Sequence, residues 1–300
     1  MPHNYFHPRY WPGWLAITLA WCLVHLPVPA QFWLGKQIGR LTFIVGGSRK
    51  KITQTNIRLC FPELDENQRA LLVRDIFLST GINAMESAMA WIRSPCVYQH
   101  RMQIQGLELL KAAQREGKGV LLVGAHYSSL EVAGALLSTV ADYDIMYRRS
   151  NNPQIESLMT RGRKRLYQGV IDRKNTRQIL RRLKQGATIW YGPDQDYGRK
   201  HSIFVPFFGV EAATITATSR LAQFNNSAVL HFSHFRNTEE CTWSLSISPV
   251  PGFPSGDAVT DATLINSIIE TEIRKHPEQY LWLHRRFKTR PEGEPRPYNS

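Results

Sequence analysis

A histidine and a glutamate five positions apart are the residues of this sequence best suited to acid–base chemistry. His126 and Glu131 lie in the segment GAHYSSLE, residues 124–131, directly after an apolar run. A histidine can serve as a general base near neutral pH, and a carboxylate one helical turn away can hold its ring in one tautomer. The same segment also fits a capping box, in which Ser128 caps a helix and Glu131 reaches back to it. The capping box leaves His126 unexplained, so both interpretations stay open.

Motifs of several other chemistries do not occur in the sequence. It has no GxSxG, Walker A, GxGxxG or HExxH pattern, which argues against an elbow-type serine hydrolase, a nucleotide-binding loop and a zinc protease. The four cysteines stand far apart without a CxxC pair, so neither a disulfide framework nor a thiolate zinc site is expected. His231 and His234 fall in a predicted strand, where side chains three apart point to opposite faces. We therefore expect neither a metal nor a cofactor.

Two further polar segments follow apolar or aromatic runs. The segment WYGPDQDYG, residues 190–198, is rich in turn-forming residues and carries Asp194 and Asp196. These acids are either structural ion-pair partners or part of a substrate-binding loop. Residues 284–291, HRRFKTRP, are either a strand end that contacts phosphate or a solvated terminus.

The elements that must position these residues alternate between strands and helices. Short apolar runs at residues 119–124 and 187–191 are typical of buried strands. Further strands are predicted at 143–147, 228–235 and 242–250, and helices at 64–91, 130–137, 153–167, 176–184, 212–224 and 258–275. Residues 50–62 are predicted to connect elements. This order predicts an α/β fold with a largely parallel central sheet flanked by helices, and a site at the carboxyl ends of its strands.

The N-terminal stretch is apolar and rich in tryptophan. Residues 11–35 contain no Lys, Arg, Asp or Glu, and two prolines after residue 26 should end a helix of about fifteen residues, roughly 22 Å long. This length is marginal for crossing a bilayer, which takes ~20 residues. Three interpretations remain: a membrane anchor that spans or half-inserts, a helix of the soluble core, or a cleaved signal peptide. We favour the anchor and divide the chain into a membrane-associated N-terminal segment, residues 1–40, and a catalytic domain, residues 41–300.

The charge of the chain is strongly basic and unevenly distributed. The 300 residues include 37 Lys and Arg against 24 Asp and Glu, a formal net charge of +13. Residues 148–200 hold fourteen of these cations and four acids. This segment is either a set of solvated helix faces or an anion-binding surface for nucleic acid, anionic lipid, a phosphorylated substrate or an acidic protein. Aromatic residues do not interleave it as a base-stacking platform would, so nucleic acid is not expected.

Taken in order along the chain, several blocks resemble the lipid A late acyltransferases, which belong to the HX4D/E glycerolipid acyltransferase superfamily. The blocks are HYSSLE (126–131), YRRSNNP (147–153), RGRKR (161–165), IDRKN (171–175), WYGPDQDYG (190–198), VPFFG (205–209) and PEQYLWLHRRFKTRPEG (277–293). They cover nearly the whole chain, and the two long blocks are the most specific. Two departures are the glutamate of the first block, where the superfamily often has aspartate, and YRRS in place of YRP, which leaves the role of Arg149 open.

The resemblance implies an O-acyltransferase of the inner membrane, with its catalytic domain on the cytoplasmic side. It would move a fatty acyl chain from an acyl carrier protein thioester to a hydroxyl of an acyl chain on a lipid A precursor in lipopolysaccharide biosynthesis. The resemblance makes His126 the general base and Glu131 the residue that orients it. It also implies that Arg148, Arg163 and Asp194 contribute to substrate binding.

Other functions remain as alternatives at this stage. The same catalytic pair could acylate another membrane glycolipid or a lysophospholipid, or could act on water as a thioesterase. A non-enzymatic protein that binds anions would account for the basic centre but gives His126 no role. Such binding would weaken steeply with salt.

Overall fold

The computed structural model describes residues 7–298, apart from the side chain of Arg9. The α-helices are α1 Trp11–Leu23, α2 Val28–Val45, α3 Gly47–Cys60, α4 Glu66–Ile92, α5 Leu107–Arg115, α6 Leu130–Leu137, α7 Pro153–Leu166, α8 Thr176–Lys184, α9 Ala217–Phe224 and α10 Ala258–Lys275. The strands are β1 Met102–Gln105, β2 Val120–Gly124, β3 Asp144–Tyr147, β4 Gly169–Asp172, β5 Thr188–Tyr191, β6 Ser202–Phe207, β7 Val210–Ile215, β8 Ala228–Asn237 and β9 Thr242–Pro249.

A seven-stranded sheet forms the centre of the described chain. Its strand order is β1-β9-β8-β2-β5-β3-β4, and every neighbouring pair is parallel except β8 and β9. Strands β2, β5, β3 and β4 therefore end at one edge, and the loops that follow them lie side by side. This confirms the predicted α/β fold with a largely parallel sheet. Strands β6 and β7 form a separate antiparallel pair.

Apolar side chains pack on both faces of this sheet because successive strand residues point to opposite sides. In β2, Leu121 and Val123 belong to one core, and Val120 and Leu122 to the other. Helices α3, α8 and α10 cover the first face, while α5 and α6 cover the second. Helix α4 contributes to both cores. The fully buried run predicted for this strand is thus explained by a sheet with helices on each side.

Helices α2 and α4 cross at almost backbone contact. A Cβ on Gly35 would lie 2.6 Å from the Cα of Ile82, and a Cβ on Gly81 would lie 2.3 Å from the backbone nitrogen of Gly39. Real Cβ atoms do not approach so closely, so glycine is required where the helices meet. The anchor boundary predicted at residue 40 falls inside α2, and at this crossing α2 packs on α4, which lies in the predicted catalytic domain.

The surface of α1 and α2 carries large apolar side chains that the fold does not cover. The more exposed ones are Trp11, Trp14, Leu15, Leu19, Trp21, Trp33, Leu41, Ile44 and Val45. Helix α1 has 13 residues, and within residues 7–298 no helix combines the length and hydropathy that crossing a membrane requires. The first six residues of the predicted anchor lie outside the described part.

Two sequence-based predictions of secondary structure were wrong. Residues 212–224 were expected to be one helix, but β7 occupies the first part and α9 the second. Phe208 and Gly209 both have positive φ, so they form a tight turn that pairs β7 with β6, and this pairing outweighs the local helix preference. Residues 50–62 are largely the helix α3, whose buried residues, including Ile52, Asn56 and Cys60, recur with helical spacing.

Candidate active site

His126 lies just beyond the end of β2 and is paired with a carboxylate from the loop that follows the neighbouring strand β5. Its Nδ1 is 2.6 Å from Oδ1 of Asp194, and its backbone N–H donates to Oδ2 of Asp194 over 2.9 Å. Val123 is in register with Tyr191, so the two residues stand at matching positions after β2 and β5. The side chain of Asp194 is 1% exposed and that of His126 is 24% exposed. With Nδ1 donating to the carboxylate, Nε2 is the nitrogen that can accept a proton.

The pKa values of this pair shift in opposite directions. Burial lowers the pKa of His126, but the charge of Asp194 and the hydrogen bond to it have a larger combined effect, so the pKa is raised. Burial raises the pKa of Asp194, but the charge and hydrogen bonds of His126 outweigh it, so that pKa is lowered. The carboxylate therefore stays ionised and stabilises the imidazolium that forms when His126 takes up a proton.

Glu131 has different partners from those the sequence led us to expect. Its carboxylate forms a salt bridge with Arg163 and accepts a 2.7 Å hydrogen bond from the indole N–H of Trp91. The side chain that contacts the imidazole is Asp194, which had been assigned to substrate binding. Glu131 still acts on His126 at a distance, since its charge helps to raise the histidine pKa. The Arg163 guanidinium is thereby fixed beside the site.

The capping-box interpretation of residues 128–131 was wrong. Helix α6 begins after Ser129, whose side chain makes no capping hydrogen bond. The Ser129 hydroxyl lies 2.9 Å from Nδ1 of His234, and the Ser128 hydroxyl lies 2.8 Å from that of Ser79. Because both hydroxyls and the Glu131 carboxylate have other partners, this segment is held by tertiary contacts rather than by a local cap.

A buried ion pair contacts the loop that carries His126. Arg236 is 3% exposed, forms a salt bridge with the fully buried Glu86, and donates to the Ser128 hydroxyl over 3.1 Å. Glu86 also accepts from the indole N–H of Trp243 at 2.6 Å. Burial raises the pKa of Glu86, although Arg236 opposes the shift. The loop that carries His126 therefore rests on a desolvated polar network.

Residues 277–293 connect the loop that carries His126 to the loop that carries Asp194. The backbone N–H of Leu281 donates to the His126 carbonyl, and the Tyr280 hydroxyl donates to the Asp194 carbonyl over 3.3 Å. Neither interpretation offered for residues 284–291 fits all of them, because Arg286 is buried and donates to the Ala213 carbonyl over 2.7 Å. The block is part of the scaffold of the site.

A small cavity of about 40 Å³ lies behind Trp190, which contacts the His126 ring. Its wall contains Leu130, Ile145, Met146, Trp190, Phe232 and the Glu131–Arg163 pair. Trp190 links the cavity to His126, since the two rings meet edge to face with centroids 5.6 Å apart. Gly192 packs against both rings, since a Cβ there would be 2.8 Å from Cε1 of His126 and 3.0 Å from Cη2 of Trp190. The cavity and the imidazole are thus separated by one side chain, that of Trp190.

Arg148, the last of the sequence-predicted site residues, belongs neither to the His126–Asp194 pair nor to the lining of the small cavity. Arg148 is exposed in the loop after β3, at the same edge of the sheet. Residues that the sequence did not single out include Trp91 and Tyr280, which hold Glu131 and Asp194 from distant parts of the chain. Within residues 7–298 no group of three or more His, Cys, Asp or Glu side chains is arranged to hold a metal ion.

Comparison with known proteins gives consistent matches along the chain. The family model described as bacterial lipid A biosynthesis acyltransferase matches residues 2–289. The chain is 39% identical over 293 residues to the lipid A biosynthesis palmitoleoyltransferase of Escherichia coli (strain K12), covering 97% of this chain and 95% of that protein. It is 39% identical over 294 residues to the lauroyltransferase of the same strain, covering 97% and 96%. The myristoyltransferase of that strain is 27% identical over 299 residues, covering 98% and 92%.

Proposed function

The chain belongs to the bacterial lipid A biosynthesis acyltransferase family, and from this premise we propose that it transfers a fatty acyl group from an acyl carrier protein thioester to a hydroxyl of an acyl chain on a lipid A precursor. The family makes it an acyltransferase; the donor, the acceptor hydroxyl and the roles of the residues are our proposal. The observation that carries it is the His126–Asp194 pair beside an apolar cavity at the carboxyl edge of the sheet.

In the proposed mechanism His126 acts as the general base. Nε2 takes the proton of the acceptor hydroxyl as its oxygen attacks the thioester carbonyl, because an alcohol is a weak nucleophile until a base removes that proton. The tetrahedral intermediate then collapses, the carbon–sulfur bond breaks, and the imidazolium returns the proton to the leaving sulfur. The products are an ester and the free thiol of the carrier. Asp194 keeps the ring in the required tautomer and stabilises its charge.

Positive charge near the histidine is available to the negative oxygen of the intermediate. Arg173 acts electrostatically on His126, as its effect on the histidine pKa indicates. Arg163 is already paired with Glu131, so we assign it to holding the substrate and the cavity wall in place. Since the Arg173 guanidinium also lies 5.4 Å from the ring centroid of Tyr197, in the loop that carries Asp194, we propose it as the first candidate to stabilise the oxyanion.

Direct transfer is favoured over a covalent acyl-enzyme. The serine hydroxyls nearest to His126 in sequence are those of Ser128 and Ser129. The first is bound to Ser79 and Arg236, and the second to His234. Neither hydroxyl is hydrogen-bonded to the imidazole of His126, which a serine nucleophile activated by that base would require.

We propose that α1 and α2 hold the enzyme at the cytoplasmic face of the inner membrane. Their exposed tryptophans and aliphatic side chains suit the boundary between headgroups and acyl chains, and Arg40 lies on the same helix as the exposed Trp33 and Leu41. In this arrangement α1 and α2 contribute an interfacial surface, and the edge of the sheet that carries His126 receives lipid from the bilayer.

The carrier protein would approach the basic part of the catalytic domain. Arg177, Arg181 and Lys184 are exposed on α8, whereas Arg182 pairs with the buried Asp144. Acyl carrier proteins are acidic, and opposite charge speeds encounter more than it tightens binding. Part of the cationic segment 148–200 is thus structural and part is free for docking.

The proposal is tested by acyl transfer with purified enzyme, acylated carrier protein and lipid A precursor, followed by mass spectrometry of the product. We expect His126→Ala to lower turnover by at least about 10³-fold, since both the base and its imidazolium are lost. Turnover near the wild-type value would reject the mechanism. In a deletion strain, lipid A lacking one acyl chain is expected, whereas unchanged lipid A with another under-acylated glycolipid would identify a different acceptor.

A further inference from the structure

A second, polar cleft lies beside the active site and has no part in the mechanism above. Its volume is about 970 Å³, and it is bounded by Tyr10 at the start of α1, by the loop after β3, and by one face of α7. The α7 residues in its wall recur with the spacing of one helix face and are Pro153, Glu156, Ser157, Thr160, Arg161 and Lys164. One side of the cleft is therefore a continuous face of α7.

The lining of the cleft suits a phosphate group. The wall carries an excess of positive charge, because it contains one acid, Glu156, and three cations, which are Arg149, Arg161 and Lys164. The Glu156 carboxylate is already occupied, because it accepts from the Ser150 backbone N–H at 2.7 Å and from the Thr160 hydroxyl at 3.0 Å. Among residues 7–298, Arg161 and Lys164 form no salt bridge. Arginine and lysine in such a setting can bind a phosphate dianion.

Neighbouring residues of β3 and α7 line this cleft and the small cavity near His126. Met146 lines the cavity and Tyr147 the cleft, while on α7 Arg163 lines the cavity and Lys164 the cleft. Strand β3 is separated from β2 only by β5, which places it roughly 10 Å away from the strand that leads to His126. One substrate molecule can therefore occupy both sites, with a hydroxyl at the histidine and a phosphate in the cleft.

The side of the cleft that faces α1 indicates where its ligand comes from. Gln154 of α7 donates to the Tyr10 carbonyl over 3.0 Å, and a Cβ on Gly13 would overlap the Gln154 side chain. The cleft thus adjoins the exposed apolar surface that includes Trp11 and Leu15. A phosphate reaching it would belong to a molecule whose apolar part lies in that same surface layer.

We propose that this cleft binds a phosphate of the lipid acceptor and so sets which part of the acceptor reaches His126. The inference rests on the proposed function, since it requires a phosphorylated glycolipid as acceptor. It gives Arg149 a role and places substrate binding at Arg161 and Lys164 rather than at the adjacent Arg148.

The test compares Arg161→Gln, Lys164→Gln and the double variant with wild type. Each single change is expected to raise KM for the acceptor about tenfold, with kcat and KM for the acylated carrier protein within about twofold, because one charge-assisted contact is lost. Arg58→Gln, the same change in an exposed basic cleft between α3 and the C-terminal segment, serves as the control and should alter none of these constants.

A second arm uses the acceptor after removal of its phosphates. Removing the phosphates should lower kcat/KM of wild type at least tenfold. The double variant has already lost the phosphate contacts, so the same removal should lower its kcat/KM only slightly further. Equal discrimination by wild type and double variant would overturn the inference. A rise in KM for the carrier protein instead of the acceptor would also overturn it and would assign the cleft to the carrier's phosphate.

Direct binding separates this inference from the proposed function. Phosphatidylcholine vesicles containing the phosphorylated or dephosphorylated precursor are titrated against wild type and the double variant. If wild type binds more tightly than the double variant to the phosphorylated vesicles but not to the dephosphorylated ones, the cleft is supported. Absence of acyl transfer in the same preparation would reject only the proposed function. Loss of that preference in Arg58→Gln as well would reject the cleft.

Discussion

Replacing Asp194 by asparagine tests the histidine pair most directly. An asparagine can present its oxygen either to Nδ1 or to the backbone N–H of His126, but not to both, whereas the carboxylate accepts from both. If the oxygen faces the backbone, the amide N–H₂ faces Nδ1 and forces the proton to Nε2, where it blocks the base. If the oxygen faces Nδ1, the amide N–H₂ meets the buried backbone N–H.

The cost follows from these two possibilities. A buried unsatisfied donor costs about 1–3 kcal/mol, and loss of the charged hydrogen bond to the imidazolium removes about 1.5–3 kcal/mol. Together these predict a fall in kcat of roughly 10²–10⁴-fold. The pKa of His126 should also fall, since burial lowers it and the carboxylate that raised it is gone. The base is the neutral form, so the acidic limb of kcat/KM should move to lower pH.

The assay is the pH dependence of steady-state acyl transfer, with Asp196→Asn as the matched control. Asp196 is buried in the same loop and accepts from Gly198 and Thr289 rather than from His126. The control should therefore leave the acidic limb in place. Retention of kcat within fivefold by Asp194→Asn, or an acidic limb that stays or moves to higher pH, would refute the assignment.

Two further substitutions test the surroundings of the site. Glu86→Gln should lower the free energy of unfolding by about 3–5 kcal/mol in urea denaturation, because Arg236 stays buried without its partner; the half-exposed Glu63→Gln should cost under about 1 kcal/mol, and equal losses would contradict this account. Gly192→Ala should reduce kcat by about 10²-fold with an unchanged unfolding midpoint, because the new Cβ displaces the His126 ring; wild-type kcat would show that the ring position is not critical.

Local patterns in the sequence were enough to predict the sheet strands near the site and the helices around them. The bounds of α6, α8 and α10 agree with the predicted ones, because each has a clear apolar face or a defined end. The position of His126 after a buried strand was likewise visible. Helix α3 and strand β7 were not predicted correctly, since one carries many polar residues and the other consists largely of small residues that favour helix.

The partner of His126 could not be predicted from spacing alone. Asp194 meets the imidazole because β2 and β5 are neighbours in register, although 68 positions separate the two residues. Glu131 was the nearer acid in sequence, but Trp91 and Arg163 draw its carboxylate away. The position after a buried strand pointed to His126 as the proposed base and the resemblance pointed to Asp194, whereas strand order decides which acid contacts the imidazole.

The glycine crossing of α2 and α4 has a consequence for how deep a substrate must sit. Helix α4 runs from that crossing at Gly81 to Trp91, which binds Glu131, a separation of roughly 15 Å along the helix axis. If α2 rests in the lipid headgroups, this stiff segment works as a spacer of constant length between bilayer and imidazole. Acceptors would then be selected by the height at which their hydroxyl stands above the acyl chains, and lengthening α4 by a turn would change that height without altering any residue of the site.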